Sequence, residues 1–173
     1  DGLLAVQDAM VRRIVGELRD FDNLYYEICN EPYCAGIDRP WQNHIADLIV
    51  EAEKDFSHRH LISQNIANHA GKVENPHPGV SIFNFHYAWP PDAVAMNHAL
   101  NKPIGDNETG FRGIGDFQYR REAWEFILSG GALFSHLDYS FTVGHDDVSF
   151  VNPPAQWGGG SPALRAQLRR RKD

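Results

Sequence analysis

The chain reads as an α/β protein built on a parallel sheet. Helix-like and strand-like apolar periods alternate along it, and the joints between them are short. A strand followed by a helix and then another strand is the crossover that a parallel neighbour requires.

The elements follow in order. Leu3, Val6, Met10, Ile14 and Leu18 recur every three or four residues and predict one amphipathic helix ending before Asp20. Leu24 to Cys29 is short, aromatic and apolar, with the breaker Pro32 beyond it, and predicts the first strand. After a loop holding Gly36 and Pro40, Trp41, Ile45, Leu48, Ile49, Ala52 and Phe56 mark a second helix, with Asp47, Glu51 and Lys54 on its outer face. Leu61 to Ile66 is a second strand, polar at its end. A turn-rich loop with Gly71, Pro76, Pro78 and Gly79 leads to the third, Val80 to Tyr87, which Pro90 and Pro91 end.

A short helix from Asp92, capped by that carboxylate, is expected to reach about Leu100, and Lys102 to Asn107 forms the fourth strand. Tyr119, Ala123, Trp124, Ile127 and Leu128 line a helical face between Asp116 and Ser129, closed by a left-handed cap at Gly130-Gly131. Ala132 to Phe141 is the fifth strand. Residues 142–162 read as a long loop, followed by a basic helix from Ala163 whose Arg169 to Lys172 run is a solvated end.

Composition removes several function classes. Sixteen Lys and Arg against 23 Asp and Glu give a net charge of -7, which argues against nucleic acid and anionic membranes as partners. No apolar run approaches the ~20 residues of a membrane helix. Cys29 and Cys34 offer two ligands where structural zinc wants four, and read as small buried apolar residues. Nine histidines occur without metal-ligand spacing, and His58-Arg59-His60 reads as a solvated turn, so no metal or other cofactor is expected. Neither a Gly-x-Ser-x-Gly elbow nor a phosphate-cradling glycine loop is present. The Asn107-Glu108-Thr109 sequon is set aside because the tripeptide would lie in a cleft.

Parallel α/β folds place their chemistry at the carboxyl ends of strands. The first strand ends in Asn30-Glu31-Pro32, where Pro32 is expected to keep Glu31 out of the helical region, extended at the tip. Glu27 lies on the same side but one layer inside, where a buried carboxylate needs a partner; a basic residue from a strand outside this chain is expected. The fourth strand ends in Asp106-Asn107-Glu108-Thr109-Gly110, the glycine permitting a sharp exit. Two carboxyl groups about 5–5.5 Å apart can cleave a glycosidic bond with retention, one as acid and one as nucleophile.

The stretches Leu24 to Pro32 and Lys102 to Phe111 resemble the fourth-strand and seventh-strand motifs of clan A glycoside hydrolases, most closely the cellulase-like family 5. The resemblance implies a (β/α)8 TIM barrel of which this chain supplies strands four to eight with their helices, the N-terminal units missing. Residues 1–173 would be a single incomplete catalytic domain, the C-terminal five-eighths of a barrel. At about 31 residues per unit, 173 residues hold between five and six units. Alone, such a piece is expected to aggregate and to be inactive.

By the same resemblance Glu31 is the acid/base, Glu108 the nucleophile and Asn30 the residue that binds the sugar 2-hydroxyl. His86 matches a sixth-strand histidine that orients nucleophile and sugar, although Tyr87 follows it directly where the family has tyrosine two positions on. The family's sugar platform is a tryptophan in the last strand; here Tyr139, Phe141 or Trp89 would take its place. The implied function is retaining hydrolysis of β-linked oligo- or polysaccharides, without metal, in a secreted or periplasmic enzyme. The alternatives are a non-catalytic carbohydrate-binding barrel and a metal-dependent barrel hydrolase.

Overall fold

The computed structural model describes residues 2–112, 116–137 and 143–144. Its elements are α1 (Gly2–Leu18), β1 (Tyr25–Glu27), α2 (Pro32–Ala35), α3 (Arg39–Ala52), β2 (Leu61–Asn68), β3 (Ile82–His86), α4 (Asp92–Asn97), a 3-10 turn (His98–Leu100), β4 (Ile104–Glu108), α5 (Asp116–Leu128) and β5 (Leu133–Phe134). The expected α/β class holds. The strand order is β1-β2-β3-β4-β5, each beside its sequence neighbour. Among the described residues no helix is long and apolar enough to cross a membrane.

Two compact units divide the chain: Asp1–Ala67 with Lys72–Asn84, and Asn68–Gly71 with Phe85–Asp173. In the first, β1 and β2 pair in parallel, Tyr25 opposite Leu61 and Glu27 opposite Ser63, and the Ser81 N–H reaches the Ile62 carbonyl to start β3. Its core is Val15, Ile45, Ala46, Leu48, Ile49, Ile62, Val80, Ile82 and Phe83. The Asp38 carboxylate caps α3 by accepting the Trp41 N–H at 2.9 Å, with Pro40 in the first turn.

β2 is polar where it is buried: Ser63, Gln64 and Asn65 are each at most 2% exposed. The strand persists because each side chain finds a partner. Gln64 accepts from Arg39 and donates to Gln42, both at 2.8 Å, and Gln42 in turn donates to the Ile37 carbonyl at 3.2 Å.

In the second unit β4 and β5 pair in parallel, Gly105 opposite Leu133 and Asp106 opposite Phe134. The core there is Phe85, Ala88, Ala93, Val94, Ile104, Tyr119 and Phe126. Gly130 takes φ 99° and bonds back to the Ile127 carbonyl, the left-handed exit expected after α5. A Cβ on Gly131 would stand 2.2 Å from the Phe126 ring, so close approach as well as conformation requires glycine there.

Several expectations need correction. The α1 stripe Leu3, Val6, Met10 and Ile14 is exposed; Val15 is buried instead, and Gln7 and Asp8 bond Trp41 and His44 of α3. The loop after Glu31 starts with the short helix α2, closed by Gly36 at φ 67°. Asp92 does not cap α4: Pro91 holds that position without a side-chain bond, while the helical stretch reaches Leu100 as expected, its last turn 3-10. In α5 the buried face is Tyr119, Glu122 and Phe126, while Trp124 and Leu128 are exposed. A buried glutamate reversed that reading, since periodicity counts apolar residues and Glu122 sits among them only because it is paired. Cys29 is half-buried and Cys34 exposed, both as free thiols rather than buried apolar groups. The described part of the fifth strand is Leu133–Phe134. Residues 138–141, Tyr139 and Phe141 among them, and the expected helix from Ala163 lie outside the described residues.

Candidate active site

Backbone strain gathers where strands end. His69 follows β2 directly at φ 66°, and Tyr87 follows β3 at φ 53°. Phe111 lies just past β4 at φ 60°, and Glu31 just past β1 at φ 41°. A left-handed conformation at non-glycine residues costs about 1–3 kcal/mol each and persists only where surrounding contacts impose it. Glu31 is therefore not extended, as expected from Pro32, but left-handed with ψ 53°, at the N-cap of α2. Pro32 disfavours the right-handed helical region, and that constraint leaves the left-handed one open.

In the first unit the Glu31 N–H is held by Asn65 Oδ1 at 3.1 Å, and its carbonyl accepts the Cys34 N–H at 2.9 Å. Asn65 is anchored in turn by donating to the Asn84 carbonyl at 3.5 Å. One layer inside, Glu27 Oε2 accepts from Asn84 Nδ2 at 2.6 Å and from the Ser63 hydroxyl at 3.3 Å. Within this chain Glu27 is thus met by neutral donors on the next two strands. Asn30 is exposed, its carbonyl 3.4 Å from Cys29 Sγ.

In the second unit the structure brings His86, Tyr87 and Glu108 together. The Tyr87 hydroxyl donates to Glu108 Oε1 at 2.7 Å, and the Tyr87 N–H donates to the Glu108 carbonyl, also at 2.7 Å. His86, 1% exposed, places Nδ1 3.7 Å from Glu108 Oε2. Adjacent residues of a regular strand point to opposite faces. Both reach Glu108 here because β3 ends at His86 and the left-handed turn at Tyr87 swings its ring back. The Phe111 ring lies 6.0 Å and the His69 ring 6.5 Å from that of Tyr87. His69 Nδ1 also meets the Tyr87 carbonyl at 3.1 Å.

Trp89 turns toward α5. Its indole N–H donates to Glu125 Oε2, and the guanidinium groups of Arg112 and Arg121 lie 4.7 and 4.9 Å from its ring.

Sequence reasoning missed the acids that support this half. Asp106, 1% exposed, accepts the Ala88 N–H at 3.2 Å and so holds the turn that carries Tyr87. Burial pushes its carboxyl up to about 8, with the charges of Glu122 and Glu108 adding and the Ala88 and Tyr87 amides opposing. Glu122, also 1% exposed, receives Arg112 at 2.8 Å, Gln118 at 3.0 Å and Thr109 at 3.1 Å. The available signal was period-two placement: Asp106 shares a strand face with Glu108.

No protein-family model matches the chain, and no curated protein matches it.

Proposed function

We propose that this chain carries the catalytic glutamates of a retaining glycoside hydrolase acting on β-linked glycans, and that β1 to β5 serve as strands four to eight of a (β/α)8 barrel. The observation that carries the reading is the treatment of Glu108. A carboxylate at a strand end, directed by a tyrosine hydroxyl at 2.7 Å and faced by a buried histidine at 3.7 Å, is positioned as a nucleophile is. Glu31, on a strained backbone just past β1, is the second carboxylate that the chemistry requires.

In the first step a Glu108 oxygen bonds to the anomeric carbon as the glycosidic C–O bond breaks, and Glu31 gives its proton to the departing oxygen. In the second, Glu31 takes a proton from water, the water oxygen bonds to the anomeric carbon, and the bond to Glu108 breaks. Two inversions leave the anomeric configuration unchanged. Asn30 binds the sugar 2-hydroxyl, His86 and Tyr87 orient the nucleophile, and Trp89 and Tyr139 supply aromatic contact to the glycan.

The test is turnover of an aryl β-glycoside by the complete gene product, with the first-formed product anomer read by NMR. Glu108→Gln removes the nucleophile and abolishes turnover, and Glu31→Gln slows it about 10²- to 10⁴-fold. Near-normal rates in either variant, or an inverted first product, defeat the reading.

A further inference from the structure

Three histidines of the first unit meet carboxylates: His44 Nε2 with Asp8 Oδ1 at 2.7 Å, His77 Nε2 with Asp47 Oδ1 at 3.0 Å, and His60 Nδ1 with Glu53 Oε1 at 2.5 Å. They are not equivalent. At His77 the other nitrogen accepts the Gly79 N–H at 3.1 Å, so a ring with one proton satisfies both contacts. At His60 the other nitrogen, Nε2, lies 2.5 Å from the Phe21 carbonyl oxygen, which can only accept. Both nitrogens of His60 face acceptors, and only the doubly protonated ring offers each a hydrogen.

The surroundings favour that cation. Glu53 is 1% exposed at the carboxyl end of α3, where the helix adds negative potential, and its Oε2 accepts the backbone N–H of His60 at 2.9 Å. A buried carboxylate in that position needs a positive partner. From the α1–β1 connection Asp22 adds a second negative charge, and from β1 the Tyr26 ring meets the imidazole edge-on at 5.1 Å. The other charges of this cleft are engaged elsewhere. Arg59 donates to the Lys54 carbonyl, and Arg19 pairs with Asp20 and lies over the Phe56 ring. His58, on the same segment, is exposed. His60 is accordingly not part of a solvated turn: its side chain is 5% exposed.

We propose that His60 is a proton-operated staple, its imidazolium tying the Phe21 carbonyl of the α1–β1 connection to the Glu53 carboxylate at the end of α3. When the ring loses a proton the remaining hydrogen stays on Nδ1, because the carboxylate is the stronger acceptor. The Nε2 lone pair then faces the Phe21 oxygen, and the connection is released. Burial opposes charge on the ring, but the bonds to Glu53 and Phe21 and the charges of Glu53 and Asp22 outweigh it, so the group titrates above its ordinary 6.5. The stabilisation is therefore complete below 6.5 and is lost as pH rises through the folded value. Phe21 and His60 both line a cleft of about 540 Å³ formed by the residues that precede β1 and β2, so release loosens one wall of that cleft. The inference uses none of the groups assigned to glycoside hydrolysis and stands or falls apart from it.

The experiment is a histidine-ring ¹H–¹⁵N titration of the labelled full chain from mildly acid to alkaline pH, with amide exchange followed over residues 19–24. The expected result is a His60 ring carrying both protons below a midpoint that lies above 6.5, with exchange at Phe21 and Asp22 about tenfold faster beyond it. Glu53→Gln lowers the midpoint. A single-proton ring throughout, a midpoint at or below 6.5, or amides indifferent to the titration overturns the proposal. The wild-type titration decides alone should the variant not fold.

Discussion

The hydroxyl of Tyr87 reaches Glu108 Oε1 across 2.7 Å from a residue whose own backbone is left-handed. Main chain and side chain thus serve one contact, since the same residue also bonds the Glu108 carbonyl through its N–H. A hydrogen bond to a charged group contributes about 1.5–3 kcal/mol. Tyr87→Phe keeps the ring and loses the donor, and is expected to lower kcat for an aryl β-glycoside about tenfold to hundredfold while the melting temperature stays close to wild type. An unchanged kcat shows that the hydroxyl has no part in turnover.

Asp106 makes stability depend on pH. Its carboxyl is held protonated in the fold, at about 8 against an ordinary 3.8. The unfolded chain gives up this proton near 3.8 and the folded one only near 8, so the contribution is complete below 3.8 and fades as pH rises through 8. Asp106→Asn keeps an acceptor for the Ala88 N–H and abolishes the titration. It is expected to raise stability at pH 9 by on the order of 2 kcal/mol and to change little at pH 4, as read by urea unfolding at both values. Equal effects at the two pH values would contradict the assignment.

Gly131 and Gly36 separate crowding from conformation. Gly131→Ala drives a methyl to 2.2 Å from the Phe126 ring and 2.8 Å from its backbone oxygen, whereas Gly36→Ala meets nothing within 4 Å and bears only its positive φ. The first is expected to cost about 1–3 kcal/mol from overpacking and the second about 1–2 kcal/mol from conformation. Repacking of Phe126 in the Gly131 variant is readable as a change in its ring NMR shifts. Unperturbed ring shifts would exclude the crowding.

The Arg39–Gln64–Gln42 chain beneath β2 is expected to behave as a unit. Gln64→Leu strands a buried Gln42 oxygen and removes the acceptor of Arg39, costing about 1–3 kcal/mol. Adding Gln42→Leu recovers part of that loss, so the double-mutant cycle gives a coupling of about 0.5–3 kcal/mol. Additive losses would mean that the two amides act independently.

The legible parts of the sequence were those where side-chain period and burial agree. The order of helices and strands, the strand-end glutamates and the glycine exit after α5 followed from apolar spacing and from Pro and Gly. The α1 and α5 faces did not, because exposure depends on what packs against a helix: Met10 is 56% exposed and Glu122 1%. The support of the site was hidden for a related reason. Asn65, Asn84 and Asp106 are polar residues in strands, and their value lies in partners far along the chain, such as Glu31 for Asn65 and Ala88 for Asp106. The reach of Tyr87 was concealed by a backbone angle that no periodicity encodes.

On the proposed glycosidase reading, the left-handed residues at the strand exits set thermal durability against chemistry. At Glu31, Tyr87 and Phe111 a glycine would relax the main chain, yet it would delete a carboxylate or a ring. A library of this protein ranked by survival after heating would drift toward glycine or asparagine at these three places and grow hardier as it lost its carboxylate and its aromatic wall. Ranking by turnover would run the other way, so heat-selected and rate-selected variants should diverge first at the strand ends.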